Sequence, residues 1–300
     1  MSWFEGFESR RIAVNGVELF VRVGGKPKAP PLLMLHGFPQ THAMWHRVAQ
    51  RLKSHFRLVL PDLRGYGDSD KPTGDANHAN YSKRTMARDM EELMTKLGHA
   101  RYLVVGHDRG GRVAHRLALD HAGSVGRLCL IDIAPTLDMY ERTTMDFASL
   151  YYHWFLLIQP APLPEKLIAA DPLFFLHSAL GGWGSKLLAH IEPQALAEYE
   201  RCFAMPQTLH ANCEDYRASA GIDLDHDRIS RIGARRISCE TLVMWGERGV
   251  VHRLFAPVAL WRPQCAELVE GVLMPAGHFI PEELPDETAN LLLRFFAGWH

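Results

Sequence analysis

Short apolar runs alternate with longer amphipathic stretches through the first 135 residues of the chain. The apolar runs predict strands and the amphipathic stretches predict helices, because the two elements repeat with periods of about 2 and 3.6 residues. Strands are predicted at 11–14, 18–23, 31–37, 58–62, 102–106 and 128–132, and helices at about 44–54, 83–97 and 111–121. This alternation is typical of a mostly parallel, doubly wound sheet covered by helices, so we predict an α/β fold.

The alternation is interrupted by 108 residues, 133–240, before the next buried strand is predicted at 241–246. A connection in an α/β unit needs only roughly 2–6 residues. The interval carries helical patterns, several prolines and many aromatic residues, so we interpret it as a helical cap inserted into the core. A strand at 268–274 and a helix at about 286–296 then complete the core. The resulting division is core 1–136, cap 137–236 and core 237–300.

Composition narrows the classes of partner. The chain has 300 residues, with 33 Lys and Arg against 34 Asp and Glu and a formal net charge of −1, which argues against a nucleic-acid partner. The five cysteines are scattered and never form a C-x-x-C pair, which argues against a disulfide framework or a zinc site. The N-terminus lacks a signal-peptide pattern, and no apolar run approaches the roughly 20 residues that span a bilayer. We therefore expect a cytoplasmic protein without a membrane partner.

Candidate chemistry begins with Asp108, which Gly106 and Gly110 flank at a predicted turn from a strand into a helix. The pattern Gly-x-Asp-x-Gly matches a nucleophile elbow, a strained turn that projects one side chain above the sheet. An aspartate in place of the usual serine can attack carbon directly and form an ester, because it is ionised at neutral pH. The alternative is that Asp108 only caps the helix.

Three further features favour the nucleophile. His278 follows the last predicted strand, where the histidine of a hydrolase comes after its nucleophile and acid. Asp132 ends a predicted strand and is the preferred acid, and Glu247, after the following strand, is its rival. The backbone N–H groups of Phe38 and Arg109 are placed to form an oxyanion hole. Two residues near these positions are expected only to brace loops: His36 and Asp62.

Six motifs spread over the chain resemble those of the α/β-hydrolases in the haloalkane dehalogenase and epoxide hydrolase branch, and most closely those of the fluoroacetate (haloacetate) dehalogenases. They are HGFPQTH at 36–42, PDLRGYG at 61–67, GHDRGGR at 106–112, YHW at 152–154, CEDYRA at 213–218 and GHF at 277–279. The first two are shared by the wider branch. The two arginines of the third motif and the aromatic residues of the fourth and fifth distinguish the dehalogenases.

The resemblance implies hydrolytic dehalogenation of haloacetates to glycolate and halide through an aspartyl ester, with no metal or organic cofactor. It implies the following roles: Asp108 as nucleophile, Asp132 and His278 as the rest of the triad, Arg109 and Arg112 as ligands of the substrate carboxylate, and His153, Trp154 and Tyr216 as donors to the halide. The partner would be a small halogenated carboxylate, and the family suggests a homodimer.

Two other functions remain open. An epoxide hydrolase would use the same nucleophile with a tyrosine pair, for which Tyr216 and one of Tyr140, Tyr151 or Tyr152 are available. The arginine pair argues against it, because a neutral epoxide would leave two buried cations without a partner. A non-catalytic receptor on the same fold is the second alternative, and the complete set of nucleophile, acid and histidine argues against that.

Overall fold

An eight-stranded sheet forms the centre of the computed structural model, which describes residues 3–185, 187–267 and 269–299. The strands are β1 (Phe7–Val14), β2 (Val17–Gly25), β3 (Pro31–Leu35), β4 (Arg57–Pro61), β5 (Tyr102–His107), β6 (Val125–Ile131), β7 (Glu240–Gly246) and β8 (Val269–Met274). Their spatial order is β1-β2-β4-β3-β5-β6-β7-β8. Among the described strands, only the pairs β1/β2 and β2/β4 are antiparallel. The predicted α/β fold with a mostly parallel sheet is confirmed.

The burial of the strands explains their sequence patterns. The central strand β5 is buried along its whole length, and β3 and β4 are buried apart from their first residues. Parallel strands that are covered on both faces read as continuous apolar runs, so their sequence signal is strong. The edge strand β1 is exposed over most of its length and carries charged residues, which discourage edge-to-edge pairing.

Fifteen helices are described. They are α1 (His46–Leu52), α2 (Lys83–Lys96), α3 (Asp108–Asp120), α4 (Thr136–Glu141), α5 (Met145–Leu150), α6 (Tyr152–Leu157), α7 (Leu163–Ala169), α8 (Pro172–Leu180), α9 (Pro193–Phe203), α10 (Pro206–Ala220), α11 (Ile222–Ile232), α12 (Val250–Leu254), α13 (Pro257–Trp261), α14 (Ile280–Glu283) and α15 (Pro285–Phe296). Against the sheet, α2 packs beside α3, and α1 beside α15. Within the described residues, no helix has the length and apolar character to cross a membrane.

The chain between β6 and β7 is helical. It forms α4 to α11, and α10 lies among the others, in contact with α6, α7, α9 and α11. The first of these helices begins at Thr136 and the last ends at Ile232, close to the bounds that we assigned to a cap. Two of the motifs lie on helices of this segment, YHW on α6 and CEDYRA on α10.

Local differences from the predicted elements have physical causes. Helix α3 begins at Asp108, three residues before the predicted start, although Gly110 and Gly111 are weak helix formers. Packing of the elbow against neighbouring strands overrides that propensity. The predicted helix at 44–54 starts as a 3₁₀ turn at His42–Trp45 and continues as α1. Leu268, the predicted first residue of the last strand, lies outside the described residues.

Candidate active site

Asp108 occupies the sharp turn between β5 and α3, at the carboxyl end of the central strand. Its φ angle is +46°, a left-handed conformation that non-glycine residues seldom adopt. The flanking glycines are required by close approaches: a Cβ on Gly106 would collide with the carbonyl of Gly110, and one on Gly110 with the carbonyl of His36. The strained turn therefore has the form that the Gly-x-Asp-x-Gly pattern predicts.

His278, in the loop after β8, lies between two carboxylates. Its Nδ1 atom is 2.5 Å from Oδ2 of Asp132, and its Nε2 atom is 3.9 Å from Oδ2 of Asp108. Asp132 follows β6 directly and accepts a hydrogen bond of 3.0 Å from the amide of Gly246. Glu247, the rival acid, is exposed to solvent. Of the two acids, Asp132 is therefore the one that orients the imidazole ring.

Burial and charge together set the protonation of these groups. Burial alone would raise the pKa of Asp108, but His278 and the nearby cations hold that pKa below its ordinary value. Burial alone would lower the pKa of His278, whereas its hydrogen bond with Asp132 and the charges of both carboxylates raise it above the ordinary 6.5. At neutral pH Asp108 is thus an ionised carboxylate, in reach of an imidazole whose basicity depends on that charge.

The side chain of Asp108 is held by a backbone donor. The amide of Phe38, in the loop after β3, donates a hydrogen bond of 2.9 Å to Oδ1 of Asp108. The amide of Arg109 lies in the first turn of α3, where no carbonyl of the same helix is available to accept it. The Phe38 amide thus binds Oδ1, and Oδ2 lies on the side of His278.

Arg112 is a buried cation without a carboxylate partner among the described residues. Its Nη1 atom donates to the carbonyl of Ala134 at 3.2 Å and to the hydroxyl of Thr136 at 2.8 Å. Its Nη2 atom meets only the sulfur of Met139, at 3.3 Å, and its buried Nε has no partner among those residues. The guanidinium lies 4.7 Å from the ring centroid of Trp154. The Nε and Nη2 edge, which binds carboxylates in a bidentate manner, therefore has no oxygen acceptor among the described residues.

Arg109, the second predicted ligand of the substrate carboxylate, is already paired with a carboxylate of the protein. Its Nε and Nη2 atoms each lie 2.9 Å from one oxygen of Asp215, and its Nη1 atom is 3.3 Å from the hydroxyl of Ser219. The sequence argument that a neutral substrate would leave two buried cations unpaired is wrong for Arg109. Neither Asp215 nor this pairing was anticipated, because the two partners are 106 residues apart and meet only through the packing of α10 on α3.

The three predicted halide donors lie together on helices α6 and α10 of the helical segment. His153, Trp154 and Tyr216 are buried, with ring centroids 5.7 Å apart for His153 and Tyr216 and 6.3 Å apart for Trp154 and Tyr216. Within the part of the chain that the structure describes, His153 Nδ1, Trp154 Nε1 and Tyr216 Oη have no hydrogen-bond partner. Burial lowers the pKa of His153 to about 3, so its imidazole is neutral. Buried donors without partners are costly and indicate a position for a ligand.

Other aromatic residues complete the wall. The hydroxyls of Tyr140 and Tyr151 are also buried and lack a partner in the described ranges. Trp183 lies with its ring centroid 4.4 Å from that of His153 and 5.3 Å from that of His278. Tyr152 is 44% exposed, which removes it from the possible tyrosine pairs. These side chains could not be ranked from the sequence, because they lie in a region rich in aromatic residues.

His36 and Asp62 brace loops beside the site. The Nε2 atom of His36 accepts a hydrogen bond of 3.0 Å from the amide of Leu63. The carboxylate of Asp62 accepts hydrogen bonds of 2.8 Å and 2.9 Å from the amides of His42 and Asp68. These contacts agree with the structural role that we expected of both residues.

The sequence of the chain is similar to those of known hydrolases and to one family model. Residues 30–283 match the model of the alpha/beta hydrolase fold family. The chain is 45% identical to a fluoroacetate dehalogenase of Burkholderia sp, over 98% of this chain and 95% of that protein. It is 29% identical to a soluble epoxide hydrolase of Corynebacterium sp. strain C12, over 95% of both chains.

Solved structures agree. A proposed alpha/beta hydrolase from Nostoc sp PCC 7120 superposes with a TM-score of 0.95 at 49% identity, covering 99% of this chain and 100% of that one. A proposed epoxide hydrolase from Pseudomonas aeruginosa superposes with a TM-score of 0.91 at 42% identity, covering 98% and 96%. With the family model matched over most of its length, the chain belongs to the alpha/beta hydrolase fold family.

Proposed function

We propose that the protein hydrolyses haloacetates to glycolate and halide through an ester on Asp108. The observation that carries this proposal is the buried guanidinium of Arg112, whose Nε and Nη2 edge has no oxygen acceptor among the described residues and whose charge acts on the ionised carboxylate of Asp108. An anionic substrate supplies the partner that this cation lacks. The similarity to a fluoroacetate dehalogenase supports the same substrate class.

In the first step, Oδ2 of Asp108 attacks the carbon that carries the halogen. We assign Oδ2 because Oδ1 already accepts the hydrogen bond of the Phe38 amide. The new C–O bond forms as the carbon–halogen bond breaks, and the halide leaves with the bonding electrons. The substrate carboxylate binds Arg112, with Nη1 of Arg109, which also donates to Ser219, as a second donor, so the reacting carbon is held against Asp108.

The departing halide needs donors that are in place before its charge develops. Fluoride above all is a strong hydrogen-bond acceptor and a poor leaving group unless it is solvated. The neutral imidazole of His153, the indole of Trp154 and the phenol of Tyr216 offer N–H and O–H groups without other partners in the described chain. In a dry pocket such donors stabilise the developing charge far more than bulk water does.

In the second step, water hydrolyses the ester. Ester formation removes the negative charge of Asp108, one of the charges that raise the pKa of His278, so that pKa falls and the neutral imidazole accepts the proton of an attacking water. Hydroxide adds to the carboxyl carbon of Asp108, and the N–H groups of Phe38 and Arg109 stabilise the oxyanion. Collapse expels glycolate, which takes the proton from His278. Asp108 is left as a carboxylic acid and loses its proton to solvent, and Asp132 keeps the ring oriented throughout.

Epoxide hydrolysis is the second candidate. It is favoured by the buried hydroxyls of Tyr151 and Tyr216, which have no partner among the described residues, and by the epoxide hydrolases among the similar proteins. Pairing of Arg109 with Asp215 weakens the charge argument against a neutral substrate. The unpaired cation of Arg112 still favours a haloacetate over an epoxide as the substrate.

Halide release separates the candidates. Purified protein is incubated with fluoroacetate, chloroacetate and bromoacetate while free halide is measured, and styrene oxide hydrolysis is measured in parallel. The proposal predicts continuous halide release that the Asp108→Asn substitution abolishes. Turnover of styrene oxide without halide release would favour the epoxide reaction, and binding of haloacetate with no turnover of either would favour a receptor.

A further inference from the structure

The carboxylate of Asp215 joins the helical segment to the core beneath the candidate site. It lies on α10, one residue before Tyr216, and is fully buried. Besides binding Arg109 through both oxygens, it accepts a hydrogen bond of 2.6 Å from the hydroxyl of Tyr66. It also contacts the ammonium group of Lys83, at the start of α2. One carboxylate thus connects α2, α3 and the loop after β4 with the helix that carries a candidate halide donor.

Lys83 is not used by the proposed chemistry, yet it is buried. Only 4% of its side chain is exposed, and its ammonium nitrogen lies 3.9 Å from Oδ2 of Asp223 in addition to its contact with Asp215. Its backbone amide donates a hydrogen bond of 2.8 Å to Oδ1 of Asp223. A buried lysine is costly unless it balances other charge. Here two cations, Lys83 and Arg109, face two carboxylates.

This balance leaves one buried cation in the candidate site uncompensated. The charges of Arg109 and Lys83 are met by Asp215 and Asp223, whereas no carboxylate lies within ion-pair distance of Arg112 among the described residues. The negative charge that most raises the pKa of Arg112 is that of the nucleophile, Asp108. A ligand with one carboxylate matches such a site, and a ligand with two brings a charge that nothing there balances.

We propose that Asp215, held by Lys83, is a positioning and specificity residue that cancels the charge of Arg109, so that the site accepts monocarboxylates and rejects dicarboxylates. The inference rests on the proposed function only in placing the carboxylate of the ligand at Arg112. The same contact fixes Arg109 with its guanidinium carbon 4.1 Å from the ring centroid of Tyr216. Asp215 therefore also sets the position of that phenol relative to Asp108.

Binding of two unreactive acids tests the inference without dehalogenation. Acetate and malonate are titrated calorimetrically into the wild type, Asp215→Asn and Glu214→Gln. Glu214 is the matched control, because it is a buried carboxylate on the same helix that pairs with Arg217 and His78 instead. The wild type and Glu214→Gln are expected to prefer acetate. In Asp215→Asn, Arg109 regains a free charge, so the affinity for malonate relative to acetate should rise on the order of tenfold.

A gain of malonate binding cannot arise from a loosened fold, so the ratio separates charge compensation from a purely structural role. An unchanged ratio in folded Asp215→Asn, checked by circular dichroism, would overturn the inference. If Asp215→Asn does not fold, Lys83→Met tests the same balance of charge, because it removes a positive charge where Asp215→Asn removes a negative one. Removing this cation leaves excess negative charge, and acetate should bind several-fold more weakly than in the wild type. Unchanged acetate binding there would overturn it as well.

The outcomes also separate this inference from the proposed function. Acetate binding with an unchanged malonate ratio refutes the role of Asp215 alone. Acetate binding without halide release from any haloacetate refutes the dehalogenase proposal alone. Absence of acetate binding in the wild type would contradict the carboxylate site at Arg112, on which both depend.

Discussion

Asp108 and Asp132 both have positive φ angles, +46° and +51°, and each directly follows a strand. Such a conformation costs a non-glycine residue on the order of 1–3 kcal/mol and persists only where the surroundings impose it. At Asp108 the strained turn could be predicted from the sequence, because two glycines flank the residue. At Asp132 no glycine marks the turn, which is why Glu247 could be separated from it only by the observed contact with His278.

A pair of substitutions tests the assignment of the acid. We expect Asp132→Asn to lower kcat for chloroacetate by about 10²–10⁴, because the ring of His278 loses the charge that orients it and stabilises its protonated form. Glu247→Gln, at an exposed carboxylate, should leave kcat within a factor of about two. Steady-state halide release measures both. An equal loss in the two variants would contradict the assignment.

The raised pKa of His278 predicts how the intermediate depends on pH. In the ester the hydrogen bond and charge of Asp132 still raise the pKa of His278, so the base is protonated on the acid side and ester hydrolysis should slow as the pH falls, while Asp108, whose pKa is lowered, still attacks. The ester should therefore accumulate at pH 5 and be scarce at pH 8. Intact-protein mass spectra of samples quenched during turnover measure the adduct. A fraction of adduct that is the same at both pH values would count against His278 as the base.

At the scale of elements, the strands and the elbow could be predicted and the packing of the helical segment could not. Buried parallel strands leave continuous apolar runs, and the elbow leaves paired glycines, so both are visible along the chain. The contacts of α10 with α3, and of α9 with the loop after β3, join residues more than 100 positions apart. Such pairings depend on tertiary packing that a local pattern does not encode, and they place Asp215 and Glu282.

Glu282 on α14 shows how one such contact couples elements. Its carboxyl group is fully buried, accepts a hydrogen bond of 3.0 Å from the hydroxyl of Tyr199 on α9, and contacts the side chain of Gln40 in the loop after β3. Burial raises the pKa of Glu282 to about 8. The native state therefore binds this proton more tightly than the unfolded state does. Stability should fall as the pH rises from about 4.5 through 8.

Replacing Glu282 by glutamine should remove that dependence. We expect Glu282→Gln to be more stable than the wild type by on the order of 1 kcal/mol at pH 9 and to differ less at pH 6. Urea denaturation at the two pH values gives the free energies of unfolding, with Glu287→Gln, at an exposed position on α15, as the control. If Glu282→Gln were equally destabilising at both pH values, the carboxyl would be ionised throughout.

For the whole molecule, the near-neutral net charge of −1 conceals a local arrangement of buried charge. The sequence allowed two arginines to be proposed as the positive part of the site, and the structure shows that one of them, Arg109, is compensated internally. The charge left for a ligand is that of Arg112. The helical segment between β6 and β7 adds no strand to the sheet, yet it contributes Asp215, Tyr216 and the other buried donors. The site is therefore built by the packing of that segment on the strands.

The central claim is that Asp108 forms the ester, and His278→Asn with chloroacetate tests it most directly. Without the base, the ester should persist, so about one equivalent of chloride per protein is released, and the peptide containing Asp108 gains the mass of a carboxymethyl group. A circular dichroism spectrum like that of the wild type shows that the variant is folded. A burst of chloride without an adduct, or an adduct on another residue, would contradict the account.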